Sequence, residues 1–99
     1  MAKAPTSAES TMAMPAAPDT EWTPVAWDAG VEPVSFKVVR DEDAGYVHLW
    51  LSAYKLFGTR RQYGTFATDL SSLDPSLGDA QTAIDNLITQ ANAITDPLA

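Results

Sequence analysis

The clearest hydrophobic pattern lies near the C-terminus and predicts a helix from Asp79 to Thr95. Apolar side chains recur there at intervals of three and four residues, which is the spacing of one helix face. The residues on this face are Ala80, Ala83, Ile84, Leu87, Ile88, Ala91 and Ile94. Asp79 is suited to the N-cap position, and Asp96-Pro97 ends the pattern.

The same spacing permits two packing partners for this helix. Ala80, Ile84, Leu87, Ala91 and Ile94 follow the 4, 3, 4, 3 intervals of a short coiled coil, so Ile84, Leu87 and Ile94 could contact a neighbouring subunit. Two heptads are fewer than a coiled coil usually needs, and this favours packing of the helix onto its own domain.

A second helical period occurs in residues 46–57 and predicts another helix. Its apolar positions are Tyr46, Leu49, Trp50, Ala53, Tyr54 and Phe57, with His48, Ser52 and Lys55 on the opposite stripe. Acidic residues precede the segment and Gly58 follows it, as is typical of helix ends. The alternative is a hairpin in which residues 36–40 and 46–54 pair across the acidic turn, because the segment is also rich in strand-forming side chains.

The remaining patterns of residues 35–99 indicate short extended segments. Residues 35–40 are rich in β-branched side chains and predict a short strand, and residues 59–68 indicate a second strand or an extended loop. Residues 71–78 form a connector around Asp74-Pro75. The expected fold is therefore a small compact α+β unit, residues 35–99, with one or two short strands and two helices.

Residues 1–34 have a different composition and predict a long extended arm. The first 20 residues hold six alanines and three prolines but no Val, Ile, Leu or aromatic residue. Ordering 34 residues costs on the order of 35–70 kcal/mol, which so few large apolar side chains cannot offset. We therefore expect the arm to clamp neighbouring subunits, with Trp22 and Trp27 as its anchors.

The charge balance excludes some partners and suggests one contact. Thirteen acidic and six basic side chains give a net charge of −7, which argues against nucleic-acid binding. Arg60-Arg61 is the only basic pair, and it either docks a neighbour's arm or is exposed without a role. The arm's carboxylates are those of Glu9, Asp19, Glu21, Asp28 and Glu32.

Candidate chemistry is sparse in this sequence. With no cysteine, disulfides, thiolate metal sites and a cysteine nucleophile are excluded. The spacing of Asp41 and Asp43 could begin a calcium loop, but Tyr46 and Ser52 stand where an EF-hand needs Gly and Glu. A solvated turn is favoured, and a metal contact shared with a neighbour stays open. His48 is interpreted as a surface histidine and not as a general base.

These patterns together favour an architectural role. Nine aromatic side chains, Trp50 among them, exceed what so small a core needs and favour an interface. No apolar run approaches the length of a membrane span or signal peptide, so we expect a soluble protein made in the cytoplasm, without a membrane partner.

We therefore expect a non-catalytic structural subunit of a large assembly, made of its own copies, larger structural proteins or both. A phage virion component, such as a capsid decoration, tail or fibre-associated protein, is the expected setting. No cofactor, metal or small-molecule substrate is expected. The alternative is a small acidic adaptor whose arm folds onto a single larger partner.

Overall fold

The fold is a three-stranded antiparallel sheet with one helix packed on one of its faces. The structure is a computed structural model that describes residues 22–99; residues 1–21, most of the predicted arm with Glu9, Asp19 and Glu21, lie outside the described part. The strands are β1 (Val31–Asp41), β2 (Tyr46–Phe57) and β3 (Arg60–Leu70), and the helix is α1 (Leu77–Asn92). Each strand pairs with the next along the chain, so β2 is central.

The expected set of two helices and one or two short strands is wrong. Residues 46–57 form the central strand. They pair with β1 across the acidic turn, as the hairpin alternative has it. Buried side chains alternate along β2 at Val47, Leu49, Leu51 and Ala53, which is the period of a strand. The opposite face of β2 is also rich in aromatic side chains, so apolar residues occur at helical spacing as well.

Both hairpin turns depend on glycines with positive φ. Gly58 (φ 69°) and Thr59 link β2 to β3, and a positive φ at only the first of two loop residues defines a type II′ turn. The four-residue acidic turn between β1 and β2 ends at Gly45 (φ 86°), whose N–H donates to the Asp41 carbonyl at 2.9 Å. A glycine of this conformation also ends helices, which explains why Gly58 is ambiguous in the sequence.

The core lies between α1 and the inner face of the sheet. Its largest fully buried side chains are Leu51, Leu87, Ile88 and Val47. All buried residues of the described chain are apolar, and α1 lies mainly over β2 and β3. Burial of one large aliphatic side chain contributes about 1.5–3 kcal/mol, so this one-sided core is the main source of stability.

The ends of α1 differ from the sequence prediction at both sides. The N-cap is Ser76, whose Oγ accepts from the N–H of Asp79 at 3.1 Å, so Asp79 lies in the first turn and is not the cap. The helix ends at Asn92 rather than at Thr95. The last turn has no basic residue of its own; Lys55 of β2 supplies one, because its Nζ donates to the Asn92 carbonyl at 2.9 Å.

Residues 22–30, here named the N-terminal segment, are fastened along α1. The Asp85 carboxylate accepts from Trp22 Nε1 at 3.2 Å and from the Val25 N–H at 3.0 Å. About two helical turns after Asp85, the Asn92 side chain accepts from the Asp28 N–H at 2.9 Å and donates to the Ala26 carbonyl at 2.9 Å. The last residues of the predicted arm, 31–34, are the start of β1. Residues 22–34 thus contribute to the folded unit.

Candidate interaction surface

The face of the sheet opposite α1 is the candidate functional surface, and we name it the open face. Its side chains alternate with those of the core, and no element of residues 22–99 packs over it. They are Ser35, Lys37 and Val39 of β1; Tyr46, His48, Trp50, Ser52 and Tyr54 of β2; and Arg61, Tyr63, Thr65, Ala67 and Asp69 of β3.

Trp50 stands near the middle of this surface, on the central strand. It is 40% exposed and pairs with Lys37 on one side and Ala67 on the other. Small side chains follow it along the sheet, where the hydroxyls of Ser52 and Thr65 lie 3.3 Å apart. The indole therefore rises above lower neighbours, which is the arrangement of an anchor residue at a protein interface.

A cluster of two tyrosines and one arginine occupies the end of the open face near the β2–β3 turn. The rings of Tyr54 and Tyr63 lie 5.3 Å apart, and the Arg61 guanidinium lies 4.8 Å from the Tyr54 centroid. The side-chain hydrogen bond with Tyr63, then the electrostatic influence of both tyrosines, raises the pKa of Arg61 above its ordinary value. Arg61 therefore stays charged while its stem covers the Tyr54 ring.

At the other end of the open face, His48 joins the three strands. Its Nδ1 lies 2.7 Å from Asp69 Oδ1 of β3, and its Nε2 lies 3.8 Å from Asp41 Oδ2 of β1. The Tyr46 ring meets the imidazole edge-on at 4.6 Å. The carboxylate at Nδ1 fixes the orientation of the ring. Through its two nitrogens, His48 makes polar contacts from β2 to both β1 and β3.

The predicted carboxylate cluster forms a hairpin turn. Asp41 Oδ1 accepts from the Ala44 N–H at 2.9 Å, and Glu42 pairs with Arg40 at 3.1 Å. Within residues 22–99, no group of three or more histidine, aspartate or glutamate side chains is arranged to hold a metal ion. The Asp41 carboxylate is therefore engaged with the local backbone and that of Glu42 with Arg40.

The two predicted basic residues point to opposite faces. Arg61 belongs to the open face, whereas Arg60 lies on the core side, where it pairs with Asp96 beyond the end of α1. The expectation that both arginines dock a neighbour's acidic arm is thus not met at Arg60, whose partner is in its own chain. Together with Lys55, Arg60 holds the C-terminal part of the chain against the sheet.

The pH dependence of stability should include a contribution from Asp96. The backbone hydrogen bond from Leu98, and after it Arg60, lowers the pKa of Asp96 below its ordinary value of 3.8. A lowered pKa in the folded state stabilises the protein at pH values above 3.8, and this contribution disappears as the pH falls through the folded value. Melting temperatures of the wild type and D96N should differ near neutral pH and converge in acid. D43N, in the exposed turn, is the control, and a gap that persists in acid would contradict this origin.

Five other predicted interface residues pack in the chain's own fold. Trp22 and Trp27 are half-buried against the core, and Ile84 and Leu87 are 7% and 0% exposed. Ile94 lies beyond α1 and is half-buried. The coiled-coil alternative for Ile84 and Leu87 is wrong, because the sheet already covers them.

Sequence reasoning missed the open face as a unit. It identified Trp50 and Arg61 but not Tyr54, Tyr63 or His48 as their neighbours. A helix over residues 46–57 would put His48 on the stripe opposite Trp50, and Arg61 and Tyr63 lie beyond its end. The signal that could have found them is the alternation of β3, in which every second residue from Arg61 to Asp69 is exposed.

No helix of the described residues is long and apolar enough to cross a membrane. The chain matches no protein-family model, curated protein or solved structure at a significant level.

Proposed function

We propose that this protein is a non-catalytic structural subunit of a larger assembly and that it contacts a neighbouring copy through the open face. The observation that supports this proposal is the exposed aromatic surface of a sheet whose other face packs against α1 and the N-terminal segment. Trp50 and Tyr63 keep 40% and 56% of their surface exposed there.

The chemistry of the open face fits a protein partner. A one-sided antiparallel sheet ordinarily presents polar side chains to water, so aromatic residues on the solvent side need a reason. Tyrosine, tryptophan and arginine are the residue types enriched at interface hot spots, and all three occur here. Lys37 and Asp69 lie toward the sides of this surface, as charged groups do at the rim of an interface.

A phage virion is the setting that we propose for this assembly. The Ala/Pro-rich composition of residues 1–21, which suits an arm that gains order on contact, supports this setting. The competing adaptor function would have one copy bound to one larger partner, and it differs in the stoichiometry expected for the isolated protein.

The test is the native mass of the full chain and of W50T. The wild type should form a species larger than a dimer at a fixed multiple of 10.6 kDa. Threonine suits a strand but removes the anchor, so W50T should weaken the open-face contact roughly 30-fold, the effect of losing one hot-spot residue. Circular dichroism should show the same strand and helix content in both proteins.

L98S is the matched control, because Leu98 is 75% exposed and lies in the C-terminal tail, outside the open face. It should assemble as the wild type does. A wild type that never exceeds a dimer, or a W50T assembly as tight as that of the wild type, would overturn the open-face contact.

A further inference from the structure

The outer edge of β3 is an unpaired strand edge of unusual length. β3 has 11 residues, and within the described chain its backbone pairs only with β2. Its register with β2 runs without interruption from Val47–Leu70 to Phe57–Arg60. A long regular edge of this kind is a template for pairing with another strand unless the sequence protects it.

The other edge of the sheet carries such protection and β3 does not. β1 contains Pro33, which has no N–H to donate, and a β-bulge follows between Pro33 and Ser35. β3 has neither a proline nor a bulge. The asymmetry identifies β3 as the edge that is available for strand addition.

The open-face residues of β3 are complementary to the same residues of a second copy when the two strands pair antiparallel about Thr65. When β3 is placed antiparallel to itself with Thr65 at the centre, Arg61 lies opposite Asp69 of the second copy and Tyr63 opposite Ala67 of the second copy. All 11 residues, Arg60 to Leu70, are then paired with no overhang. Opposite charges and a large residue beside a small one are the favourable cross-strand pairs.

Neighbouring registers lose this complementarity. With Phe66 at the centre, Arg61 would face Ser71 and Tyr63 would face Asp69. With Gly64 at the centre, Asp69 would face Thr59. Paired residues must point to the same side of the sheet, so a symmetric antiparallel pair of β3 strands is centred on a residue that faces itself. Of the three centres compared, only Thr65 places Arg61 opposite Asp69.

The core-side residues of β3 agree with the same register. Gly64 lies opposite Phe66 of the second copy, and within one chain the Phe66 ring already covers Gly64, since a Cβ there would lie 2.7 Å from Phe66 Cζ. An aromatic ring over a strand glycine compensates for the missing side chain. At the two ends of the register, Arg61 is exposed and the Asp69 side chain is 57% exposed beside His48. Both charges can therefore reach a second copy.

We propose that the protein forms a symmetric dimer in which the two β3 strands pair antiparallel about Thr65. The two-fold axis runs perpendicular to the sheet, so the product is one six-stranded sheet with both helices on one side. Both open faces lie on the other side and form a single surface of twice the size. This contact is made by the backbone edge of β3 with Arg61 and Asp69 at its ends, whereas the open-face contact is centred on Trp50 of β2, so it holds whether or not that contact forms.

Charge exchange across the dimer tests this register directly. R61D places aspartate opposite Asp69 of the second copy, and D69R places arginine opposite Arg61 of the second copy. Each variant loses two attractive pairs and gains two repulsive ones, so each alone should dimerise about tenfold or more weakly than the wild type in analytical ultracentrifugation. An equimolar mixture of R61D and D69R restores opposite charges at both ends and should form a heterodimer of near wild-type affinity.

The mixture separates the proposed contact from damage within one chain. Loss of the Arg61–Tyr54 or Asp69–His48 contact would persist on mixing, whereas complementary interface charges are restored only between chains. Single variants that dimerise as well as the wild type, or a mixture that stays monomeric while the wild type dimerises, would overturn the proposal. A wild type that is monomeric at high micromolar concentration would overturn it too.

A cysteine probe then reports the position of the two-fold axis. The chain has no cysteine, so T65C introduces a single thiol that faces its own symmetry mate. Under mild oxidation with oxidised glutathione, T65C should give a disulfide-linked dimer. A67C, on the same strand and face, lies several residues from its mate and should stay unlinked. Equal cross-linking of both variants would contradict the Thr65-centred register.

The two contacts fail in distinguishable ways. If β3 pairing is wrong and the open-face contact is right, W50T dissolves the large assembly, T65C cross-links no better than A67C, and mixing R61D with D69R restores no affinity. If the open-face contact is wrong and β3 pairing is right, the wild type stops at a dimer that the charge variants dissociate.

Discussion

L87A should lower the free energy of unfolding by about 2–5 kcal/mol. Leu87 is 0% exposed at the centre of the face by which α1 covers the sheet, so truncation leaves a cavity that surrounding strands cannot fill without moving. A domain this small has only about 5–10 kcal/mol of stability to lose. Thermal and urea unfolding followed by circular dichroism should show a melting temperature lower by at least about 10 °C.

L77A provides the matched control for this experiment. It is the same substitution on the same helix, but Leu77 is 46% exposed in the first turn. We expect it to change the free energy of unfolding by less than about 1 kcal/mol. If instead L87A kept wild-type stability and lost only self-association, Leu87 would be an interface residue, as the coiled-coil spacing alone suggests.

The contrast between α1 and residues 46–57 shows how far sequence periodicity can predict this fold. In α1 the apolar residues form one stripe and the opposite side is polar, so the helical period has no competitor. In β2 one face packs on the core and the other carries Tyr46, Trp50 and Tyr54. A segment that is apolar on both faces satisfies the helical and the strand period equally.

The candidate surface was harder to predict because it exists only after the strands pair. His48 and Asp69 are 21 residues apart in sequence, and Tyr54 and Tyr63 are nine apart, yet each pair is adjacent in the β2–β3 register. Asp69, the carboxylate that orients His48, is on the neighbouring strand, so only the strand register places it beside the imidazole. For residues 59–68 the strand alternative is the right one, because β3 runs from Arg60 to Leu70. The alternation of this strand defines a surface only once its register with β2 is known.

Removal of the Asp85 carboxylate should loosen the start of the N-terminal segment, at Trp22 and Val25, from α1. In D85A, Trp22 Nε1 and the Val25 N–H both lose a charged acceptor in a partly buried position. Hydrogen bonds to a charged group contribute about 1.5–3 kcal/mol each, less where water can replace the acceptor, so we expect a loss of about 2 kcal/mol in the free energy of unfolding. Hydrogen exchange at the Val25 amide should become faster, and tryptophan fluorescence should shift to the red.

D85N and N86A test whether this loss of stability comes from the two Asp85 oxygens. Asparagine keeps one acceptor oxygen where Asp85 uses two, so D85N should lie between the wild type and D85A. N86A removes a neighbouring exposed side chain of α1 and should leave the Val25 amide protected. Protection of that amide in D85A equal to the wild type would show that other contacts hold the segment. Loss of this protection in D85A but not in N86A would establish that Asp85 joins the residues before β1 to the folded unit.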